Sequence, residues 1–163
     1  MAVKQIETAR TRLRRFDEND LENMMALESD PGVVKYTPAR VPLSREQSQE
    51  RLKNLIERQK SDDPLGIWAA ENKMTGEFIG WFMLLKRENE HPELGFMLVQ
   101  TEWNKGFASE IAGALKKYAF EDLNFKRLLA KTDPQNLASI RVLEKIGFYL
   151  VRFGETNYYQ VDA

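Results

Sequence analysis

The stretch WNKGFASE at residues 103–110 decides the fold, because it joins a strand pattern to a helix pattern through a glycine. An apolar run from Leu94 to Val99 precedes it, and apolar residues at helical spacing follow it between Phe107 and Tyr118. This order predicts a strand, a tight turn and the start of a helix. A helix start presents unpaired N–H groups and the positive end of the helix dipole, so it can bind a pyrophosphate. The small residues Gly106 and Ala108 would let phosphate oxygens approach the backbone closely.

A second segment, residues 136–148, contains another helix start. Asn136 follows a strand-like run from Leu128 to Thr132 and the breaker Asp133-Pro134, so it is predicted to cap a short helix. Gly147 then ends this helix as a C-terminal glycine. Taken alone, each segment also fits ordinary loop chemistry or a helix that packs on a sheet. Packing does not explain why the two occur together.

Together the two segments resemble the GNAT (Gcn5-related N-acetyltransferase) superfamily, and within it the Rim-type ribosomal-protein N-terminal acetyltransferases. The superfamily's pyrophosphate signature is Gln or Arg, two residues, Gly, one residue, then Gly or Ala, and it falls here on Trp103 to Ala108. Trp103 departs from it, although aromatic residues are common there in the Rim-type branch. The segment 136–148 matches that branch's pattern of Asn, two residues, Ser, and later Leu-Glu-Lys, one residue, Gly-Phe. Residues 7–21 are similar to its first strand and helix.

The resemblance implies an α/β (α+β) fold in a single domain over residues 1–163. A mixed, mostly antiparallel sheet of about seven strands would be flanked by helices, with a splayed pair of central strands. A Ser44/Gln47 capping box supports one helix, and the proline-containing segment Pro31 to Pro42 is predicted to be irregular, either bordering the acceptor site or connecting passively. The elements predicted from periodicity are helices over Asp17 to Glu28 and Ser44 to Lys60, and strands over Ile67 to Glu71, Phe78 to Lys86, Glu93 to Val99, Phe148 to Phe153 and Thr156 to Val161.

Composition excludes several other classes of protein. The chain has 163 residues, no cysteine and one histidine, so disulfides, thiolate nucleophiles and histidine clusters are not expected. Its N-terminus lacks an apolar signal region and no apolar run reaches the roughly 18 residues of a membrane span, which predicts a cytoplasmic protein. A formal net charge of −1 gives no general drive toward nucleic acid. A monomer and a homodimer are equally compatible with the sequence.

The resemblance also implies where acetyl-CoA, the expected co-substrate, would bind. In the family the fourth strand carries a bulge that splays it from the fifth, and pantetheine pairs with free backbone groups in the slot between them. Gly95 fits such a bulge, or a neutral strand position, and an N–H near Met97 or Leu98 would face the thioester oxygen. Asn136 would hold the pantetheine arm while it caps its helix. No metal is expected. The residues expected to bind acetyl-CoA are Met97, Leu98, Val99, Asn104, Lys105, Gly106, Phe107, Ala108, Asn136 and Ser139.

Three side chains are candidates for the proton transfers. Ser139 is the expected donor to the departing thiolate, because the serine of that motif does this work in the Rim-type branch; the alternative is a serine that merely starts a helix. Tyr149 is the rival acid, or else a strand aromatic. Glu93 is the expected base, acting through water, since apolar neighbours make a carboxylate a stronger base; the alternative is a surface carboxylate. His91 is a weaker candidate base beside Pro92.

The chemistry of the acceptor sets how strong a base is needed. At neutral pH roughly a tenth of an α-amine is unprotonated, against on the order of one part in 2,500 of a lysine amine. An α-amino acceptor therefore relaxes the demand on the base. The resemblance implies acetyl-CoA-dependent N-acetylation of a primary amine, either a protein N-terminal α-amine or a small-molecule amine, by direct attack in a ternary complex. The alternative is an acyl-CoA-binding sensor or scaffold without turnover. A nucleotide enzyme is disfavoured, because no Gly-Lys-Ser/Thr follows the turn.

Overall fold

One mixed sheet organises the chain, seen in a computed structural model that describes residues 5–59, 62–87 and 90–163. A single π-helical turn, Tyr118–Asp122, extends the fourth helix. The elements in chain order are β1 (Thr11–Arg14), α1 (Leu21–Glu28), α2 (Pro31–Val34), α3 (Arg45–Arg58), β2 (Gly66–Asn72), β3 (Phe78–Leu85), β4 (Glu93–Leu98), α4 (Phe107–Lys117), β5 (Arg127–Thr132), α5 (Leu137–Lys145), β6 (Tyr149–Arg152) and β7 (Asn157–Asp162).

The seven strands lie in the order β1-β2-β3-β4-β5-β7-β6. Five of the six neighbouring pairs are antiparallel, and β4 and β5 are parallel. Three of the antiparallel pairs, β2–β3, β3–β4 and β6–β7, join strands that follow each other directly in the chain, whereas the parallel pair needs the crossover that α4 provides. The predicted fold class, a mixed and mostly antiparallel sheet flanked by helices, is confirmed.

The parallel pair β4–β5 is held together at one end only. Glu93 is opposite Leu129, and the Leu129 N–H donates to the Pro92 carbonyl at 2.9 Å. No further register pair joins the two strands, although β4 and β5 each continue for several residues and both are described in full. The strands therefore diverge toward their C-terminal ends, which confirms the predicted splay.

The two faces of the sheet are covered differently. On one face α4 and α5 bury a large apolar cluster with side chains such as Leu94, Leu98, Ile111 and Leu115. On the other face α1 and α3 pack over the first strands, around a smaller cluster that contains Ala69. The β6 side chains are exposed, and those of β5 and β7 that point away from α4 are only partly covered. The second face of β4 to β6 is therefore open, and we call it the open face.

Local capping chemistry explains where the helices begin. At α3 the Ser44 hydroxyl accepts from the Gln47 N–H at 3.2 Å, and the Gln47 amide oxygen accepts from the Ser44 N–H at 2.8 Å, so the predicted capping box is present. Lys60, the predicted end of this helix, lies outside the described residues. The prediction of an irregular segment from Pro31 onward is wrong for its first four residues, which form α2. Asp30 caps α2 and Pro31 occupies its first position, where proline is favoured.

The predicted bulge in β4 at Gly95 is wrong. The β3–β4 register runs without a shift from Gly80–Leu98 to Leu85–Glu93. Register shifts occur instead between β2 and β3, at Ala70/Glu71, and between β6 and β7, at Leu150/Arg152. Gly95 accommodates a neighbouring side chain, because a Cβ there would lie 2.8 Å from Met83 Cε. Close backbone approach occurs at Gly80, where a Cβ would lie 2.1 Å from the Met97 carbonyl oxygen. In residues 5–59, 62–87 and 90–163 no helix is long and apolar enough to cross a membrane.

Candidate active site

The turn between β4 and α4 has the geometry of an anion-binding nest. Asn104 and Gly106 both adopt left-handed backbone conformations, with φ of 60° and 81°, before α4 begins at Phe107. Such alternation turns successive N–H groups toward one point. Glycine adopts this conformation without strain, and asparagine tolerates it better than most residues. Gly106 has no side chain with which to cap α4, so the N–H groups of its first turn face outward for an anion.

Trp103 ties this turn to the end of β4. Its indole Nε1–H donates to the Leu98 carbonyl at 2.9 Å, and its side chain is still 41% exposed. A glutamine or arginine at this position would not provide the same flat, single-donor anchor. The departure of Trp103 from the superfamily signature therefore leaves the backbone of the nest intact and gives it a specific attachment.

Arg10 braces the turn from the N-terminal segment. Its Nη1 donates to the Lys105 carbonyl at 2.9 Å, its Nε donates to Glu110 Oε1 at 2.8 Å, and its guanidinium lies 4.2 Å from the centre of the Phe107 ring. The Thr8 hydroxyl donates to the other Glu110 oxygen at 2.5 Å. We call the contacts of Thr8 and Arg10 with Glu110 the clamp. The sequence does not reveal it, because these residues are about a hundred positions apart in the chain.

The charge of Glu110 is held by this clamp. Burial alone would raise the pKa of Glu110, but the hydrogen bonds from Thr8 and Arg10 outweigh it, and the pKa lies below its usual value. A carboxylate in the first turn of α4 would otherwise repel an incoming phosphate. Because Arg10 pairs with it, the N-terminus of α4 stays favourable for an anion.

Glu110→Gln is expected to destabilise the fold in a pH-dependent way. The ionised carboxylate contributes stability above the unfolded-state value of 4.5, and this contribution is lost as the pH falls through the lower folded-state pKa. For a partly exposed pair we expect a loss of roughly 1 kcal/mol, or about 2–4 °C in Tm, at neutral pH. Thermal melts of both proteins from pH 7 down to about pH 4 would test this. A Tm difference that does not shrink with falling pH contradicts the assignment.

The slot between β4 and β5 offers backbone groups of alternate β4 residues. The Val99 N–H donates to the Ile79 carbonyl at 3.0 Å, so odd-numbered β4 residues such as Met97 direct their N–H groups toward β3. Even-numbered residues face β5, as the acceptance of the Leu129 N–H by the Pro92 carbonyl shows. The N–H groups of Phe96 and Leu98 thus point into the slot. The prediction that the Met97 N–H faces the thioester is wrong, and Leu98 keeps that role as a prediction.

The helix α5 presents Asn136 and Ser139 at its start. Asn136 Oδ1 accepts from the Ser139 N–H at 3.2 Å, which caps the helix and holds the two residues together. Ser139 is half-buried at the third position of α5. The helix follows β5, the second strand of the slot, and Gly147 ends it with φ of 101°. The Asn136 amide NH₂ and the Ser139 hydroxyl stay candidates for contacts with pantetheine and thiolate.

Glu93 lies where β4 and β5 separate, on the open face. Its side chain is 17% exposed, with Oε2 3.8 Å from Arg87 Nε and Oε1 3.8 Å from Lys131 Nζ. The predicted apolar surroundings are therefore wrong, because two cations flank the carboxylate and Leu94 points to the opposite face. His91 lines the same cleft, and its Nε2 lies 3.9 Å from Glu90 Oε1. Both residues stay candidates for the base.

Tyr149 does not reach the slot, so its prediction as the rival acid is wrong. It is in the edge strand β6, opposite Gln160 of β7, and β7 separates β6 from β5. Two strand spacings place its backbone about 10 Å from that of β5. Its hydroxyl accepts from Gln160 Nε2 at 2.5 Å and lies 3.3 Å from Asp162 Oδ2. The side chain is 47% exposed, as expected for an aromatic on a sheet edge.

A splayed parallel pair, a nest at the end of its first strand and a capped helix after its second together form the candidate site. The family model described as "Acetyltransferase (GNAT) domain" matches residues 10–149, and the chain belongs to this family of acyltransferases. The family predicted from the two motifs is thus confirmed.

Relatives and solved structures agree with this assignment. YkkB of Bacillus subtilis (strain 168) is 33% identical over 91% of this chain and 87% of its own length. The N-acetyltransferase YnaD of the same organism is 33% identical over 87% and 81%. A GNAT-family acetyltransferase from Bacillus anthracis superposes with a TM-score of 0.87 at 25% identity, over 98% of both chains. RimL, a ribosomal α-N-protein acetyltransferase solved with coenzyme A, gives 0.80 at 16% identity over 98% of both chains, which shows a shared fold.

Proposed function

We propose that the protein transfers the acetyl group of acetyl-CoA to a primary amine, either a protein N-terminal α-amine or a small-molecule amine, by direct attack in a ternary complex. The observation that carries this proposal is the continuity between the nest and the slot. From Leu98, beside the nest, to Glu93, at the strand junction, five residues of extended backbone cover about 17 Å. This span gives a pantetheine arm extended backbone to pair with, between a pyrophosphate bound at the nest and an amine that enters at the junction.

Residues of this chain fit the bound co-substrate in three places. The amides around Gly106 would hold the pyrophosphate, because the left-handed turn leaves them unobstructed. The N–H groups of Phe96 and Leu98 would pair with the pantetheine arm, and one of them would polarise the thioester carbonyl. The Asn136 NH₂ would donate to the arm from the α5 side. Every contact except the last uses the backbone, which explains how Trp103 can replace the usual glutamine or arginine.

The transfer itself needs two proton movements. The attacking amine must lose a proton, and Glu93, at the strand junction, would accept it through water. As the new N–C bond forms, the C–S bond breaks, and the Ser139 hydroxyl donates a hydrogen bond or proton to the departing thiolate. Positioning must make serine effective, because a free hydroxyl is a poor acid. The Asn136 cap holds the backbone of Ser139 in the first turn of α5 through its N–H.

A thiol-release assay tests the proposal. With acetyl-CoA and a panel of peptide and small-molecule amines, we expect free CoA to appear only when an accepted amine is present. A protein that is retained on immobilised CoA but releases no thiol with any amine would instead be an acyl-CoA sensor or scaffold. Retention on immobilised ATP, in place of CoA, would contradict the assignment of the nest.

Glu93→Gln is expected to lower kcat/KM at neutral pH by at least about tenfold, with partial recovery as the pH rises. Recovery is expected because solvent can replace the base once the amine deprotonates by itself. A pH profile of kcat/KM measures this. Glu121→Gln is the matched control, since Glu121 is 64% exposed after α4 and does not line the cleft that contains Glu93. A Glu93→Gln profile with the height and shape of the wild-type profile would leave Glu93 as a structural carboxylate.

The proposal describes a single-domain cytoplasmic enzyme that binds acetyl-CoA and its acceptor without a metal, a membrane or nucleic acid. Each chemical step is assigned to a side chain or a backbone group of residues 93–139. The proposal is compatible with a monomer and with a homodimer. Light scattering during size-exclusion chromatography would distinguish the two states.

A further inference from the structure

The open face holds a cleft of about 570 Å³ that starts at the strand junction. Glu93 and Leu129, the last residues that pair β4 with β5, are part of its wall. From there the cleft extends over β5 and β7 to β6, and it is lined by Tyr158 of β7 and Arg152 of β6. A molecule whose amine reaches the junction from the open face must place the rest of itself in this cleft.

The cleft carries an excess of positive charge. Among its described lining residues the cations are Arg87, Lys131 and Arg152, and the one carboxylate is Glu93. Arg87 and Lys131 share that carboxylate, at 3.8 Å each, so it does not neutralise both. Arg152 lies 4.2 Å from the centre of the Tyr158 ring, which holds its planar guanidinium in place.

This excess is local to one end of β4. A second cleft of about 560 Å³, at the C-terminal end of the strand, is lined by Asp30, Glu71 and Glu77 against one cation, Arg14. The chain as a whole carries a formal net charge of −1. The positive cleft therefore reflects the placement of these side chains and not a basic composition.

We propose that the acceptor amine belongs to a molecule that also carries an anionic oxygen group, a carboxylate or a phosphate, and that Arg87, Lys131 and Arg152 bind this group. The inference rests on the proposed N-acetyltransferase function and names its substrate class. An amine without other charge is a cation at neutral pH and enters this cleft against three cations. An anionic group on the same molecule removes that cost, and guanidinium groups match carboxylate and phosphate oxygens in two-point contacts.

Calorimetric titration of the CoA-saturated protein with two matched pairs of probes tests the inference. The first pair is the peptide amide Ala-Asp-Ala against Ala-Asn-Ala, which differ in one charge. The second is phosphoethanolamine against ethanolamine, which separates a phosphate on a small amine from a carboxylate on a peptide. We expect the anionic member of at least one pair to bind about tenfold more tightly at low salt, with a smaller difference at high salt.

Arg152→Gln is expected to reduce this preference about threefold, while Lys117→Gln, on the exposed side of α4, leaves it unchanged. Equal affinities within both pairs, undetectable binding of all four probes, or a preference that Arg152→Gln does not change would each overturn the inference. Thiol release from acetyl-CoA is measured separately. If thiol is released only with amines that lack an anionic group, the anionic substrate class is overturned, while acetyl transfer is still supported.

Discussion

Gly106→Glu is expected to weaken coenzyme A binding by about thirtyfold and to leave the protein folded, with lower stability. Gly106 has φ of 81° and ψ of 3°, a conformation that costs a residue with a Cβ about 1–2 kcal/mol. A carboxylate there also opposes the bound pyrophosphate, at a helix N-terminus whose favourable contribution reaches about 2 kcal/mol. The backbone cost is present in the free and the bound protein alike, so it lowers stability and not affinity. The opposition to the pyrophosphate, about 2 kcal/mol, corresponds to roughly thirtyfold in Kd.

A matched control distinguishes the effect of a carboxylate at the nest from the general cost of a side chain in this backbone conformation. Gly76, in the turn between β2 and β3, has φ of 74°, and no atom lies within 4 Å of a Cβ added there. Gly76→Glu therefore introduces the same side chain at a similar φ, away from the nest. Calorimetric titration with CoA and thermal melts of both variants are the measurements. A folded Gly106→Glu protein with wild-type affinity would show that the pyrophosphate binds elsewhere.

Helix ends, which depend on residues close together in the chain, were predicted well. The Ser44–Gln47 capping box and the Asn136 cap both rest on residues three positions apart, and both are present at hydrogen-bonding distance. Gly147 has the left-handed conformation that its place after α5 predicted. Such contacts form whenever the helix forms, so a sequence pattern contains almost all the information that they need.

Features that depend on strand register were not predictable in the same way. Which β4 N–H groups face the slot follows from the partner that Val99 finds in β3, at Ile79. A shift of one residue in that register would have turned the Met97 N–H into the slot in place of the Leu98 N–H. The position of the bulge between β2 and β3 depends equally on pairing, and Gly95 in β4 carried no information about it.

Strand order and long-range contacts explain the other errors. Tyr149 follows α5 directly in sequence, but β7 inserts between β5 and β6 and moves it to the sheet edge. Glu93 was expected in apolar surroundings, but Lys131 lies next to it because β5 is beside β4 in the sheet. Arg10 belongs to a run of alternating arginines that is typical of a solvated edge. Its contacts with Lys105 and Glu110 join residues 95 and 100 positions apart, so no sequence pattern predicts them.

Ser139→Ala is expected to lower kcat by about a hundredfold with little change in acetyl-CoA affinity. The substitution preserves the cap of α5, because the Asn136 side chain accepts from the Ser139 backbone N–H and not from its hydroxyl. Alanine also favours the helix. The hydroxyl interaction develops as the thiolate leaves, so its loss affects the transition state and not the ground state.

The same reasoning predicts the behaviour of two further variants. Ser139→Thr keeps a hydroxyl and should retain more turnover than Ser139→Ala. Ser109→Ala changes the third residue of α4, the equivalent position in the other helix, and any effect there should appear in CoA affinity and not in kcat. Steady-state kinetics and calorimetry of the three proteins separate these outcomes. If Ser139→Ala keeps kcat within about twofold of wild type, Ser139 is only a helix residue. Since Tyr149 lies at the sheet edge, water would then have to protonate the thiolate.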